Sequence, residues 1–320
     1  MMVKSNGASM LDCTIRDGGL VNNWDFSVEF VRELYASLSK AGVDYMEIGY
    51  KNSPKLLPSE GVGPWRFCDE KLLKETIPEK NFTKLSAIVD IGRVDEDDIL
   101  PCEESHIDLI RVACYLKDVN KAIALVEKFH SMGYETSVNI MAVSNALEPD
   151  LIEALEKLNE SNVDIIYVVD SFGSLYNRDI KYLVEKFKMH APKKKLGIHA
   201  HNNLQLAFSN TVLAAENGVQ FLDSSVYGMG RAAGNCPTEL VLGYLDDPQY
   251  DIAPVLDVLE KLFIPLREEV EWGYLIPYTI TGLLNEHPRT AMALRKSENK
   301  DEYRKFYDQF TSVETMPTEK

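Results

Sequence analysis

The chain has 320 residues, of which 45% are hydrophobic and 26% are charged, a composition that suits a globular protein with a large buried core. Its formal net charge of −16 repels phosphate backbones, so we expect no nucleic-acid partner. No apolar run approaches the ~20 residues that cross a bilayer, and we expect neither a membrane span nor a signal peptide. The five cysteines are scattered and lack C-x-x-C spacing, which predicts reduced thiols in a cytoplasmic protein.

Short apolar runs alternate with amphipathic stretches through most of the chain. Strands are predicted at residues 8–13, 43–50, 84–91, 107–114, 134–143, 163–171, 195–201 and 219–226. Helices are predicted at 28–42, 71–77, 118–133, 149–162, 178–191, 205–218 and 238–245, with a short acidic helix after the third strand. Eight βα units in roughly 240 residues predict a (β/α)₈ TIM barrel. An open doubly wound sheet usually has fewer strands, and no G-x-G-x-x-G follows the first strand here.

Beyond the eighth unit the alternation stops. Helical patterns follow at 252–273, where Pro265 interrupts, and at 279–296 and 300–310. We therefore predict a barrel domain of residues 8–246, a C-terminal helical extension of residues 247–311 and a disordered tail of residues 312–320. The extension could cap the barrel, mediate dimerisation or dock a partner protein.

The connection at residues 51–69 is long for a βα loop. It could be a substrate lid, with Trp65 and Phe67 as its apolar contacts. The alternative is a surface excursion that packs on the barrel rim.

Two histidines stand one residue apart in GIHAH, at the end of the seventh predicted strand. Residues i and i+2 of a strand point to one face, so His199 and His201 lie side by side. Two imidazoles are poor core filler because each has a polar nitrogen to satisfy, but they suit a shared cation. The alternative is a pair of partly exposed loop histidines, since a lone H-x-H is a weak motif.

Other polar residues also follow the ends of predicted strands, where the active site of a TIM barrel lies. They are Arg16, Asp17, Glu47, Tyr50, Lys51, Arg111, Asn139, Asp170, Ser171, Tyr227 and Asn235. Taken singly, Asp170 and Ser171 could only cap the next helix, and Arg111 could belong to a buried ion pair. Taken together, Asp17, His199, His201 and Asn235 can converge on one cation. Two imidazoles, a carboxylate and an amide oxygen suit Mn²⁺ or Mg²⁺ first, and also Co²⁺ or Zn²⁺.

Three segments carry a family resemblance: TIRDG at 14–18, HAHNN at 199–203 and GRAAGN at 230–235. In order and spacing they resemble the DRE-TIM metallolyases, and the branch that looks most similar is that of the 4-hydroxy-2-oxovalerate aldolases. The resemblance covers roughly residues 8–245. It implies an aldolase that cleaves or forms a carbon–carbon bond next to a 2-oxo acid, giving pyruvate and an aldehyde. The metal would polarise the substrate's keto oxygen as a Lewis acid.

The resemblance also implies roles for individual residues. Asp17, His199 and His201 would bind the divalent metal, with Asn235 as a further ligand. Arg16 would stabilise the enolate oxygen, and Ser171 would contact the pyruvate carboxylate. Glu47 matches an acidic residue near the metal. Tyr50 and Asn139, which lie at the same barrel end, are candidates for catalysis and for substrate binding.

The match to the aldolase branch fails at Leu20, because that branch places its acid/base histidine there. Either another residue transfers the proton, or the substrate differs, or the activity is lost. The CoA-lyase branch has a cysteine in its glycine-rich loop, and residues 227–235 have none. The synthases carry a regulatory domain for which the chain is too short.

Four other functions stay open. A Claisen-type acyltransferase on the same scaffold would depend on acyl-CoA. An Fe(II) oxygenase uses two histidines and a carboxylate, but usually on an all-β fold. Amidohydrolases place H-x-H on the first strand. A barrel without turnover could serve as a binding protein. We also expect a homo-oligomer, with the C-terminal helices available to a partner enzyme.

Overall fold

The computed structural model describes residues 7–245 and 247–311, and within them eight parallel strands close into a barrel in chain order. The strands are β1 (Ser9–Asp12), β2 (Tyr45–Tyr50), β3 (Lys84–Asp90), β4 (Leu109–Cys114), β5 (Glu135–Ile140), β6 (Ile165–Asp170), β7 (Lys195–Ala200) and β8 (Phe221–Ser224). Strand β1 pairs with both β2 and β8, which closes the barrel. The predicted TIM barrel is confirmed.

In the described residues an α-helix follows every strand except β3, whose connection to β4 contains short 3₁₀ turns. The α-helices are α1 (Thr14–Asn22), α2 (Val28–Lys40), α3 (Glu70–Thr76), α4 (Val119–Ser131), α5 (Glu148–Glu160), α6 (Asn177–His190), α7 (Ala207–Glu216) and α8 (Thr238–Tyr244). Helix α1 is missing from the prediction because Gly18 and Gly19 disfavour a helix. Packing explains its formation: a Cβ on Gly19 would lie 2.0 Å from the ring of Trp24, so only glycine allows this contact. The predicted acidic helix is a single 3₁₀ turn, Glu96–Asp98.

Further helices follow the barrel, as predicted. They are α9 (Ala253–Val258), α10 (Ile264–Glu269), α11 (Ile276–Leu283), α12 (Arg289–Arg295) and α13 (Tyr303–Thr311). A π-helical turn, Leu259–Phe263, joins α9 to α10 just before Pro265, whose missing N–H breaks the helical hydrogen-bond pattern. Among the residues described, no helix is long and apolar enough to cross a membrane. The predicted tail, 312–320, lies outside the described residues.

The long loop at residues 51–69 packs on the barrel. Trp65 is fully buried, and its indole N–H donates to the Phe26 carbonyl at 2.9 Å. The guanidinium of Arg66 lies 4.2 Å from the ring centroids of both Trp24 and Tyr50. These contacts support the second interpretation of the loop, a surface excursion that packs on the barrel rim, over a substrate lid in which Trp65 contacts the substrate. They also fix the ring of Tyr50.

A buried carboxyl group links the end of β1 to the start of α8. Asp12 accepts a hydrogen bond from the backbone N–H of Thr14 at 3.0 Å and another from the Thr238 hydroxyl at 2.8 Å. Burial raises the pKa of Asp12 to about 6, although these hydrogen bonds lower it. The carboxyl group therefore costs stability as pH rises through this folded-state pKa.

We expect Asp12→Asn to change the pH dependence of stability, because asparagine keeps the shape without the charge. The folded pKa is raised, so the unfolding free energy of the wild type should fall relative to the variant as pH rises. Between about pH 5 and about pH 8 the expected relative change is about 1 kcal/mol. Urea unfolding at both pH values measures it, with exposed Asp25→Asn as the control. A difference that does not vary with pH would contradict this role.

Candidate active site

A cavity of about 90 Å³ lies at the carboxyl end of the barrel. Its lining residues come from most of the strand ends: Arg16, Asp17, Leu20, Tyr50, Ile88, Asp90, Ala113, Asn139, Met141, Val169, Ser171, His199, His201 and Arg231. Nine residues are predicted from the sequence to have a role in metal binding, catalysis or substrate binding, and seven of them are in this set. The other two, Glu47 and Asn235, lie just behind the lining and contact Arg16 and Asp17.

Asp17, His199 and His201 form a buried cluster that could hold a metal ion. One ligand atom from each lies within 4.8 Å of the others. Asp17 comes from α1, His199 from the end of β7, and His201 directly follows that strand. Burial alone would raise the pKa of Asp17, but the Arg16 guanidinium holds it well below its usual range. The carboxylate is therefore charged and available as a ligand.

Hydrogen bonds set the tautomers of both histidines. His199 Nδ1 lies 3.0 Å from a carboxylate oxygen of Asp223, and His201 Nδ1 lies 3.1 Å from the Asp170 carbonyl oxygen. Both partners can only accept, so each Nδ1 carries the proton and each Nε2 keeps a lone pair. Among the residues described, neither buried Nε2 atom has a hydrogen-bond partner. This arrangement is typical of metal-ligating histidines and fits a divalent cation.

His201 stays neutral well below neutral pH. Burial lowers the pKa of its imidazole to about 4, and the nearby Arg231 guanidinium acts in the same direction. A metal would therefore compete little with protons at this histidine.

Asn235 fixes the carboxylate of Asp17. Its side-chain nitrogen donates to Asp17 Oδ2 at 2.9 Å, and its Oδ1 atom is buried without a partner among the described residues. An antiparallel bridge also joins the backbones of Asn235 and His201. The amide oxygen therefore fits the further metal ligand that the resemblance implies.

A buried charge network runs behind the cavity. Its members are Arg16, Glu47, Arg111, Asp223 and His199. Arg16 Nε lies 2.6 Å from Glu47 Oε2, and Arg111 Nη1 lies 3.2 Å from Glu47 Oε1. Arg111 Nη2 lies 2.6 Å from the same Asp223 oxygen that accepts from His199. The network therefore connects the orientation of Arg16 to that of a metal-ligand histidine.

The cavity also has neutral hydrogen-bond donors in its lining. Ser137 donates to Asn139 Oδ1 at 3.0 Å, which leaves the Asn139 amide nitrogen to donate. Ser171 Oγ accepts from the Ala142 N–H at 2.8 Å, so its hydroxyl proton is free to donate. Burial raises the pKa of Tyr50 to about 12, so Tyr50 is protonated at neutral pH. These groups can bind carboxylate and keto oxygens.

Leu20 lines the cavity on α1, at the place where the aldolase branch has histidine. Arg231 and Asp223 belong to the site but were not singled out in the sequence. A signal for Asp223 was present, because an acidic residue interrupts the apolar run of the eighth predicted strand. Arg231 lies within the segment GRAAGN at 230–235, and only the fold shows that its side chain reaches the cavity.

Gly230 allows the turn after β8 to approach the metal cluster. A Cβ at this position would lie 2.4 Å from Asn235 Nδ2 and 2.7 Å from Asp17 Oδ2. We expect Gly230→Ala to displace both side chains and weaken divalent-metal binding about 10-fold or more. Isothermal titration with Mn²⁺ measures the effect. Gly243→Ala is the matched control, because its Cβ would meet nothing within 4 Å. Equal metal affinity in the two variants would contradict this placement.

Comparisons with known proteins identify the family of the chain. Residues 8–258 match the model of the HMGL-like family. The chain belongs to the HMGL-like family. An oxaloacetate decarboxylase of Mycobacterium tuberculosis is 30% identical over 264 residues, covering 82% of this chain and 76% of the relative. A 4-hydroxy-2-oxovalerate aldolase of Thermomicrobium roseum is 30% identical over 293 residues, covering 86% of this chain and 80% of the relative.

Two solved structures share the fold. The N-terminal domain of a protein from Bacteroides vulgatus superposes with a TM-score of 0.77 at 28% identity, covering 91% of this chain and 98% of that one. The hydroxymethylglutaryl-CoA lyase of Brucella melitensis superposes with a TM-score of 0.67 at 16% identity, covering 82% and 99%. At that identity the lyase supports the fold alone.

Proposed function

We propose that the chain is a divalent-metal-dependent carbon–carbon lyase, an aldolase that acts on 2-oxo acids through an enolate. The observation that carries the proposal is the convergence of Asp17, His199 and His201 within 4.8 Å, with both histidine Nε2 atoms buried and without a hydrogen bond from the described residues. Curated relatives named for aldolase and decarboxylase reactions support it. We take pyruvate and an aldehyde as the substrates or products, and Mn²⁺ or Mg²⁺ as the metal.

When bound, the metal would act as a Lewis acid on the keto oxygen of the substrate. Asp17, His199, His201 and Asn235 would hold it. Arg16, whose guanidinium contacts Asp17 and Glu47, would stabilise the negative charge that develops as the carbon–carbon bond breaks. Ser171 and Asn139 would orient the substrate by donating hydrogen bonds.

The charges of the site also suit an enolate. The guanidinium groups of Arg16, Arg111 and Arg231 balance the carboxylates of Asp17, Glu47 and Asp223. A divalent cation would add two positive charges to this buried group. The enolate of a 2-oxo acid carries two negative charges and would restore the balance.

We assign Glu47 and Tyr50 different roles. Both oxygens of Glu47 face guanidinium groups, so it is a positioning residue for Arg16 and not a proton carrier. Tyr50 lines the cavity with its proton in place, because its raised pKa keeps the phenol protonated at neutral pH. Tyr50 would then give its proton to the enolate carbon and take one back when pyruvate forms the enolate in the reverse step, a transfer in which leucine at position 20 cannot take part.

Exchange of the methyl protons of pyruvate in D₂O tests enolate formation without a choice of aldehyde. The enzyme is loaded with Mn²⁺, and the metal is removed before the NMR spectrum is recorded. We expect exchange in the wild type and its loss in Tyr50→Phe. Absence of exchange with each of several divalent metals would overturn the pyruvate aldolase. Exchange that requires acyl-CoA would favour the acyltransferase.

The predicted assembly is also a proposal. Ile252, directly before α9, is exposed, as are Leu256 of α9 and Ile264 of α10. We propose that this extension contacts a second copy of the chain or a partner enzyme, and light scattering tests self-association. The cytoplasmic location stays a prediction.

A further inference from the structure

Arg231 crosses one side of the cavity, from the turn after β8 to the end of β6. Its backbone N–H donates to Asp17 Oδ2 at 3.2 Å, and its Nη2 donates to the Ser171 carbonyl oxygen at 2.6 Å. Its side chain also lines the cavity. The residue therefore extends from the metal cluster, at its backbone, to the serine to which the resemblance assigns a carboxylate contact, where its guanidinium lies.

Arg231 differs from the two neighbouring arginines in its partners. Arg16 is paired with Asp17 and Glu47, and Arg111 is paired with Glu47 and Asp223. Across residues 7–245 and 247–311, Arg231 forms no ion pair, and its Nε is buried without a hydrogen-bond partner. Burial also lowers the pKa of its guanidinium. Although this group of side chains is neutral as a whole, a largely desolvated guanidinium with no carboxylate of the described residues within ion-pair distance is costly, and a bound anion would lower that cost.

The shape of the turn fixes where the side chain begins. Gly230 brings the backbone so close to Asp17 that no Cβ fits there, and Arg231 follows directly. A guanidinium presents its N–H groups in a planar fork that matches the two oxygens of a carboxylate. Arg16 has committed Nε and Nη1 to carboxylates of the protein, so Arg231 is the better placed cation for a substrate anion.

We propose that Arg231 binds the carboxylate of the 2-oxo acid and selects acids over neutral 2-oxo compounds. This inference rests on the proposed function and makes Arg231 a specificity-determining residue of that site. Ser171, whose carbonyl holds the guanidinium, is then a positioning residue for Arg231 as well as a donor to the substrate.

The test compares pyruvate with pyruvamide, which is similar in size and uncharged, in the Mn²⁺-loaded enzyme. We expect Arg231→Met to raise KM for pyruvate exchange about 30-fold and to change kcat less than about 5-fold. KM for pyruvamide should stay unchanged, so that the preference for the acid disappears. Arg231→Lys keeps the charge without the fork and should recover part of the preference. Arg267→Met is the control, because Arg267 stacks on Tyr227 and Trp272 away from the cavity.

Equal losses for pyruvate and pyruvamide, or a fall in kcat alone, would overturn the proposal. Titration with oxalate, a dianion that resembles the enolate, separates this proposal from the proposed function. If the wild type exchanges no pyruvate but binds oxalate, and Arg231→Met loses that binding at unchanged Mn²⁺ content, the anion site stands while the aldolase fails. Equal oxalate affinity in wild type and Arg231→Met would overturn the anion site.

Discussion

Replacing Asp17 with alanine is expected to lower divalent-metal affinity about 100-fold or more and to abolish pyruvate exchange. Asp17 is the only carboxylate of the three-residue cluster. Its removal also leaves Arg16 without one of its two carboxylate partners, so that only Glu47 still holds the guanidinium. The measurements are metal content after dialysis against Mn²⁺ and the exchange rate in D₂O.

A second variant separates metal binding from folding. Asp17→Asn keeps the size of the side chain and can still accept from Arg16, but it removes the charge that binds the cation. We expect it to retain the melting temperature of the wild type more closely than alanine does, and still to lose metal. The control is Asp25→Ala, an exposed carboxylate beyond α1. Unchanged metal content in both Asp17 variants would show that the ligand assignment is wrong.

The largest loss of stability is expected from Arg111→Met. Arg111 is completely buried between Glu47 and Asp223, and its guanidinium lies 4.3 Å from the ring centroid of Tyr167. Removing it leaves two buried carboxylates without a shared cation, which should cost about 3–5 kcal/mol. Urea unfolding at neutral pH gives the value.

A double variant tests whether the network acts as a unit. Combining Arg111→Met with Glu47→Gln removes one charge of each sign, so we expect it to be less destabilising than the sum of the single changes. Lys305→Met, an exposed cation in α13, is the surface control. Strict additivity, or a cost for Arg111→Met no greater than the control's, would contradict the coupling.

Much of this architecture is predictable because a TIM barrel repeats one unit. Buried parallel strands leave apolar runs, and intervening helices leave a 3.6-residue period. The positions of Asp17, His199 and His201 followed from the rule that strand ends share one face of the barrel. Side-chain periodicity could not predict α1, whose two glycines are explained by contacts with Trp24 and Met229.

Other features of the site could not be predicted from the sequence, and the reason is physical in each case. The route of Arg231 across the cavity depends on the turn geometry at Gly230, and no local pattern records which way a long side chain extends. The partners of Glu47 come from α1 and β4, so its role depends on contacts between residues distant in the chain. Trp65 has an aromatic side chain that could suit a lid, and only its burial shows that it belongs to the core.

The closing strand has a consequence for synthesis on the ribosome. Glu47 and Arg111 lie on β2 and β4, but Asp223 lies on β8, the last strand to emerge. Until then the nascent chain holds Arg111 and His199 without the carboxylate that orients both. A barrel with seven strands would therefore have an open edge, and its Arg111 would lack one of its two carboxylate partners. The final strand closes the edge and brings in Asp223 at the same time, so the fold and the site are completed together.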